Sequence, residues 1–87
     1  MKTLWLFCNT PGQENRAYIS RMLNTGDAVV CIQDGVYLLK GPGPEISVPV
    51  YGLEADLAAR GITTSAQKLT YPGLVDLIMK YQRVVTI

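Results

Sequence analysis

The sequence predicts a small α/β domain built on a mostly parallel sheet of about five strands, with helices on both faces. Short, nearly continuous apolar runs recur along the chain, as in strands that are covered on both sides. Segments with helical periodicity and capping signals separate these runs. The length of 87 residues suffices for one domain, so residues 1–87 are treated as a single unit.

The first strand and the first helix are predicted near the start of the chain. Residues 3–8 form an apolar run of strand length. Thr10 then suits the N-cap and Pro11 suits the first helical position. The apolar stripe that follows predicts a helix ending near Leu23.

A second buried strand is predicted over residues 27–33, where another continuous apolar run occurs. Asp34 and Gly35 end it, because an Asp-Gly pair favours a turn. In that turn we expect Asp34 to act as a cap and Gly35 to take a positive φ. Residues 35–39 are too few for a full helix and predict one or two helical turns.

The third strand is predicted over residues 46–51, although it contains Pro49. Proline has no N–H for a central ladder, so the regular pairing either starts after Pro49 or is locally bulged. A short helix is predicted over residues 53–60, with acidic residues near its start and Gly61 at its end.

A fourth strand and a third helix complete the pattern before the closing strand. Residues 67–69 are the fourth strand candidate. Either Thr70 or Tyr71 caps the next helix, with Pro72 in its first turn. The β-branched residues within 83–87 predict a last strand.

Composition narrows the classes of function. Eight basic and seven acidic side chains give a net charge of +1, which argues against strong nonspecific nucleic-acid binding. The hydrophobic fraction of 48% either fills a fully covered sheet or extends into an oligomer interface. No apolar run reaches the roughly 18 residues of a membrane span, and the first run is too short for a signal peptide. We therefore expect a cytoplasmic protein with reduced thiols.

Histidine is absent, so catalysis by Ser-His-Asp or Cys-His groups within this chain is excluded. The two cysteines are the remaining nucleophile candidates. Cys8 precedes a predicted helix N-terminus, which can favour a reactive thiolate. Because cysteine is among the most often buried residues, the favoured interpretation is a half-buried small residue that closes a strand. Cys31 lies between apolar neighbours and favours burial. The sequence predicts no metal site and gives no sign of a cofactor.

Polar residues at the carboxyl end of the second strand form a candidate partner-binding surface: Gln33, Asp34, Gly35 and Tyr37. The alternative is a turn that only ends the strand. Arg60 either contacts a phosphate or, as the helix position favours, interacts with the helix dipole. The other tyrosines lie in or beside regular elements, which favours core and interface packing.

Three segments carry a family resemblance: QDGV at residues 33–36, VYGLEADLAARG at 50–61 and, more weakly, YPGLVDL at 71–77. Their order and spacing resemble the TusB/DsrH family of sulfur-relay subunits. The resemblance implies a flavodoxin-like DsrE/DsrF/DsrH fold. At residues 18–21, where a DsrH-type subunit can carry a cysteine on its first helix, this chain has no thiol.

The resemblance also implies a function. The chain would be a noncatalytic subunit that supports persulfide sulfur transfer toward 2-thiouridine at the wobble position of certain tRNAs, or toward dissimilatory sulfur oxidation. Its partners would be C/F-type and D/E-type subunits, the latter carrying the main sulfur-accepting cysteine, and tRNA would be contacted only indirectly. Two alternatives stay open: a homodimeric binding module without sulfur chemistry, and a minimal sulfur carrier that uses Cys8 rather than Cys31.

Overall fold

Five parallel strands form a single sheet in a computed structural model that describes residues 2–9, 21–41 and 46–87. The spatial order is β4-β3-β2-β1-β5, and every neighbouring pair is parallel. The predicted fold class is thereby confirmed. The strands are β1 (Thr3–Phe7), β2 (Ala28–Cys31), β3 (Val50–Leu53), β4 (Gln67–Leu69) and β5 (Arg83–Thr86).

Helical segments connect the strands. A 3₁₀ helix spans Gln33–Leu39, helix α1 spans Glu54–Ala59 and helix α2 spans Tyr71–Met79. The seven-residue 3₁₀ helix corresponds to the one or two turns predicted there. Residues 21–22 are helical, while the start of the predicted first helix, including Thr10 and Pro11, lies outside the described residues.

Two apolar clusters cover the two faces of the sheet. Alternating side chains of each strand point to opposite faces, so Trp5 and Phe7 of β1 join one cluster and Leu4 joins the other. The 3₁₀ helix and α1 pack on the first face, and α2 packs on the second. The buried members of the first cluster are Trp5, Phe7, Val29, Cys31, Val36, Leu38, Leu39, Leu57 and Ile62, and those of the second are Leu4, Ala28, Val30, Leu53 and Leu74.

The third strand starts later than predicted. Regular pairing of β3 begins at Val50, so the predicted start at residue 46 was wrong. Pro49 explains the difference, because it contributes only its carbonyl oxygen, which accepts a hydrogen bond from Val29 N at 2.9 Å. Of the two arrangements considered for this proline, pairing that starts after it is the one observed.

Helix α2 begins as its sequence predicts. The Thr70 hydroxyl oxygen accepts a hydrogen bond from Gly73 N at 3.2 Å, which makes Thr70 the N-cap, and Pro72 lies in the first turn. Among the described residues, no helix is long and apolar enough to cross a bilayer.

Candidate functional site

The carboxyl ends of β5, β1 and β2 meet around Cys8. The backbone N–H of Cys8 donates to Ile87 O at 2.9 Å, and Ile32 N donates to Phe7 O at the same distance. The chain adds β2, β3 and β4 on one side of β1 and then crosses to place β5 on the other. In α/β sheets, ligands usually bind beyond the carboxyl ends of the strands at such a reversal. The half-buried Cys8 lies at this point.

The turn that follows β2 borders the same edge. Gln33 and Asp34 are exposed, whereas Gly35 is buried and donates its N–H to Ile32 O at 2.9 Å. The positive φ in this turn belongs to Gln33, at 50°, and not to Gly35 as predicted. A residue with a side chain adopts this left-handed conformation at a cost of about 1 kcal/mol, so other contacts must maintain it.

A glycine is needed at position 35 because the turn lies against the β1 backbone, and not because this position has a positive φ. A Cβ atom on Gly35 would lie 2.6 Å from the carbonyl carbon of Phe7, closer still to its oxygen, and 3.3 Å from Cys8 N. The turn therefore packs directly on the backbone that carries Cys8. Two of the predicted site residues, Cys8 and Gly35, are thus brought together.

Two charged residues of the α1 segment complete the site, and sequence reasoning did not assign them to it. Asp56 Oδ2 accepts a hydrogen bond from Gln33 N at 2.7 Å. Arg60 donates to Asp34 Oδ1 from Nε at 3.2 Å and from Nη2 at 3.0 Å. The i,i+4 spacing of Asp56 and Arg60 was visible in the sequence, but the contact with Asp34, 26 residues from Arg60, is tertiary.

Cys31 takes no part in this surface. It lies within β2, is fully buried in the first cluster, and pairs in register with Phe7. Burial raises the pKa of its thiol to about 12. A thiol with that pKa is almost entirely protonated at neutral pH, and the protonated form is neither a good nucleophile nor a metal ligand.

Tyr37 lies further along the 3₁₀ helix and is 39% exposed, beside the buried Val36 and Leu38. It can therefore contribute an aromatic surface to a partner without leaving the core incomplete. Within the described ranges, no group of three or more His, Cys, Asp or Glu side chains could hold a metal ion. Taken together, these positions place one half-buried thiol, Cys8, beside an exposed polar turn.

The two thiols are expected to differ sharply in alkylation. At pH 8 burial keeps the Cys31 thiol almost entirely protonated, because it raises the pKa to about 12, and the residue is inaccessible in the folded state. Iodoacetamide should therefore modify native wild-type protein once, at Cys8, and leave Cys8→Ser unmodified, as read by intact mass. Both thiols should react in denaturant. Rapid labelling of Cys31 in folded Cys8→Ser would contradict the buried position.

Comparisons with known proteins agree with this architecture. The family model described as "DsrH like protein" matches residues 11–84. The solution NMR structure of protein Tm0979 from Thermotoga maritima superposes with a TM-score of 0.70 at 25% sequence identity, over 92% of this chain and 93% of that one. No curated protein matches the chain.

Proposed function

Because the chain belongs to the DsrH-like family, as its sequence predicted, we propose that it is a noncatalytic subunit of a cytoplasmic sulfur-relay complex. In this role it supports the passage of persulfide sulfur between other subunits, toward tRNA wobble-uridine 2-thiolation or toward dissimilatory sulfur oxidation. The family match over residues 11–84 is the observation that carries the proposal.

The position of Cys31 excludes this residue as a sulfur carrier. A sulfur carrier must present its sulfur to a donor and then to an acceptor, so the sulfur has to be accessible and ionisable. Cys31 meets neither requirement, since it is buried and burial raises the pKa of its thiol. In the noncatalytic role a D/E-type partner supplies the sulfur-accepting cysteine, as the family resemblance implies.

The turn after β2 supports the docking part of the proposal. Gln33 and Asp34 are exposed, and the Asp34 side chain retains 64% of its accessible area. Tyr37 adds a partly exposed ring on the same 3₁₀ helix. These groups border the carboxyl ends of the strands near Cys8. A subunit that docks on them would therefore lie beside Cys8, where the chain order of the strands reverses. C/F-type and D/E-type subunits are the proposed occupants.

Direct sulfur carriage by Cys8 is the second candidate, because this residue lies at the carboxyl edge of the sheet and, unlike Cys31, is only half-buried. In the transfer, the Cys8 thiolate attacks the outer sulfur of a donor persulfide. The new S–S bond forms as the old one breaks, and the donor cysteine leaves as a thiolate. No external oxidant or reductant is required.

Intact mass separates these two candidates. Reduced protein is incubated with a cysteine desulfurase and cysteine, in parallel with Cys8→Ser and Cys31→Ser. The noncatalytic role predicts no stable mass gain in any variant. A gain of one sulfur, about 32 Da, that Cys8→Ser alone abolishes would make the chain a carrier.

A binding assay tests the partners. The chain is co-purified with C/F-type and D/E-type subunits encoded in the same genome, and the mass of the assembly is measured by light scattering. The proposal requires a hetero-oligomer that Asp34→Ala weakens more than Asp76→Ala, which removes an exposed carboxylate from α2 on the opposite face. A homodimer that ignores both subunits would instead identify a binding module without sulfur chemistry.

A further inference from the structure

Asp56 and Arg60 connect α1 and the residue after it to the turn after β2, and we call these two residues the clamp. The clamp holds the turn at two adjacent residues. Asp56 accepts the Gln33 backbone N–H at 2.7 Å, while the Arg60 guanidinium binds Asp34 Oδ1 through two nitrogens at 3.0 and 3.2 Å. A 2.7 Å hydrogen bond to a carboxylate is short, as charge-assisted hydrogen bonds are.

The two clamp residues also contact each other. Arg60 Nη1 lies 3.6 Å from Asp56 Oδ1 and donates to the Asp56 carbonyl oxygen at 3.4 Å. The two side chains are only 17% and 23% exposed, so their positions are restricted by packing as well as by charge. Asp34, in contrast, is 64% exposed at its side chain. A half-buried pair therefore orients an exposed carboxylate.

The backbone of the turn needs such support. Gln33 has a φ of 50°, in the left-handed region that residues with side chains rarely adopt. Two residues later, Gly35 rests on the Phe7 and Cys8 backbone without room for a Cβ. The turn is thus held between the end of β1 on one side and the clamp on the other.

We propose that Asp56 and Arg60 are positioning residues that fix the conformation of Gln33 and Asp34 for docking of a sulfur-relay subunit. The docking half of this inference rests on the proposed function, whereas the conformational half does not. Without the Asp56 carboxylate, Gln33 would relax toward a negative φ, and the exposed side chains of Gln33 and Asp34 would sample several orientations. A partner would then have to order them on binding, which lowers its affinity.

The two halves are tested on the full chain with Asp56→Ala, Asp56→Asn and Glu54→Ala. Asparagine keeps an acceptor for Gln33 N–H, and Glu54→Ala removes a carboxylate from the same first turn of α1 without touching the clamp contacts described above. In Asp56→Ala, amide exchange at Gln33 by NMR should accelerate about tenfold relative to wild type, with core amides unchanged. Asp56→Asn should restore most of the protection, and Glu54→Ala should match wild type. Unchanged exchange at Gln33 in Asp56→Ala would overturn the inference.

Affinity for purified C/F-type and D/E-type subunits then tests docking. Asp56→Ala should bind about tenfold more weakly than wild type, with partial recovery in Asp56→Asn and no loss in Glu54→Ala. Equal binding by Asp56→Ala and wild type, despite faster exchange, would overturn the positioning role. If wild type binds neither subunit, the proposed function fails, and the exchange measurement alone still decides whether the clamp fixes the turn.

Discussion

Gly35→Ala is expected to lower the free energy of unfolding by about 3 kcal/mol, the largest effect of adding one methyl group at a described glycine. The added Cβ would lie 2.6 Å from the Phe7 carbonyl carbon and nearer still to its oxygen. Those atoms belong to the backbone, so no side-chain rotation relieves the overlap. The same Phe7 oxygen accepts the hydrogen bond from Ile32 N that links the ends of β1 and β2, and separating the turn from β1 would weaken it.

Alanine substitutions at two other glycines should destabilise the protein less and provide a comparison. A Cβ on Gly52 would meet the side-chain ends of Leu39 and Leu57 at 2.8 Å, and these can shift within the core, so Gly52→Ala should cost about 1–2 kcal/mol. Gly41 has a φ of 74° with open space around it, so Gly41→Ala should cost about 1 kcal/mol from backbone strain alone.

Urea unfolding followed by the fluorescence of Trp5, the single tryptophan, measures all three variants. The expected order of destabilisation is Gly35→Ala, then Gly52→Ala, then Gly41→Ala. A Gly35→Ala protein as stable as Gly41→Ala would mean that the turn does not rest on the β1 backbone. If Gly35→Ala does not fold, the fraction of each protein that refolds from urea is measured instead. A lower refolded fraction for Gly35→Ala than for Gly52→Ala would still support the expected order.

Local sequence patterns were enough to predict most of the sheet. Continuous apolar runs located β1 and β2, and a capping residue at Thr70 or Tyr71 followed by Pro72 predicted the start of α2. Each of these features depends on neighbours within a few residues. The start of β3 was misplaced because the predicted segment included Pro49, whose effect depends on which strand lies beside it.

The candidate site was less predictable, because its geometry depends on contacts between distant segments. Glycine is the usual residue with positive φ, so the sequence favoured Gly35, but the Asp56 carboxylate supports that conformation at Gln33 instead. Similarly, the role of Arg60 depends on Asp34, which no helical spacing reveals. The contacts that hold Gln33 and Asp34 could not be predicted, because they join segments 23 and 26 residues apart.

The second large effect is expected at Asp27, whose role the sequence also concealed. This carboxylate is 1% exposed and accepts three hydrogen bonds: from Thr3 N at 2.9 Å, Asn24 N at 3.0 Å and Trp5 Nε1 at 3.1 Å. Asp27→Ala would leave these donors without their acceptor, two of them in buried surroundings. At about 1–3 kcal/mol for each unsatisfied buried donor, we expect a loss of about 4 kcal/mol. That is a large share of the stability of a typical domain.

The same contacts give a defined dependence on pH. Burial raises the pKa of Asp27, but the hydrogen bonds from Asn24, Thr3 and Trp5 outweigh it and leave the pKa below its usual value of 3.8. As the pH falls, the unfolded chain therefore takes up this proton before the folded chain does. The stabilisation by Asp27 is complete above the unfolded pKa and is lost as the pH falls through the lower folded pKa.

Asp27→Asn tests the contribution of the negative charge, because asparagine has a similar shape but no charge. It keeps one oxygen acceptor, and its NH2 group faces N–H donors that it cannot accept from. Its stability should fall below wild type by about 2 kcal/mol at pH 7, and the gap should narrow below about pH 4. Urea unfolding from pH 7 to pH 3 measures the gap, and the exposed Asp76→Asn serves as a control that should stay near wild type. A gap that widened on acidification would mean that burial outweighs the hydrogen bonds and raises the folded pKa. The three donors would then stabilise the carboxylate less than their geometry implies.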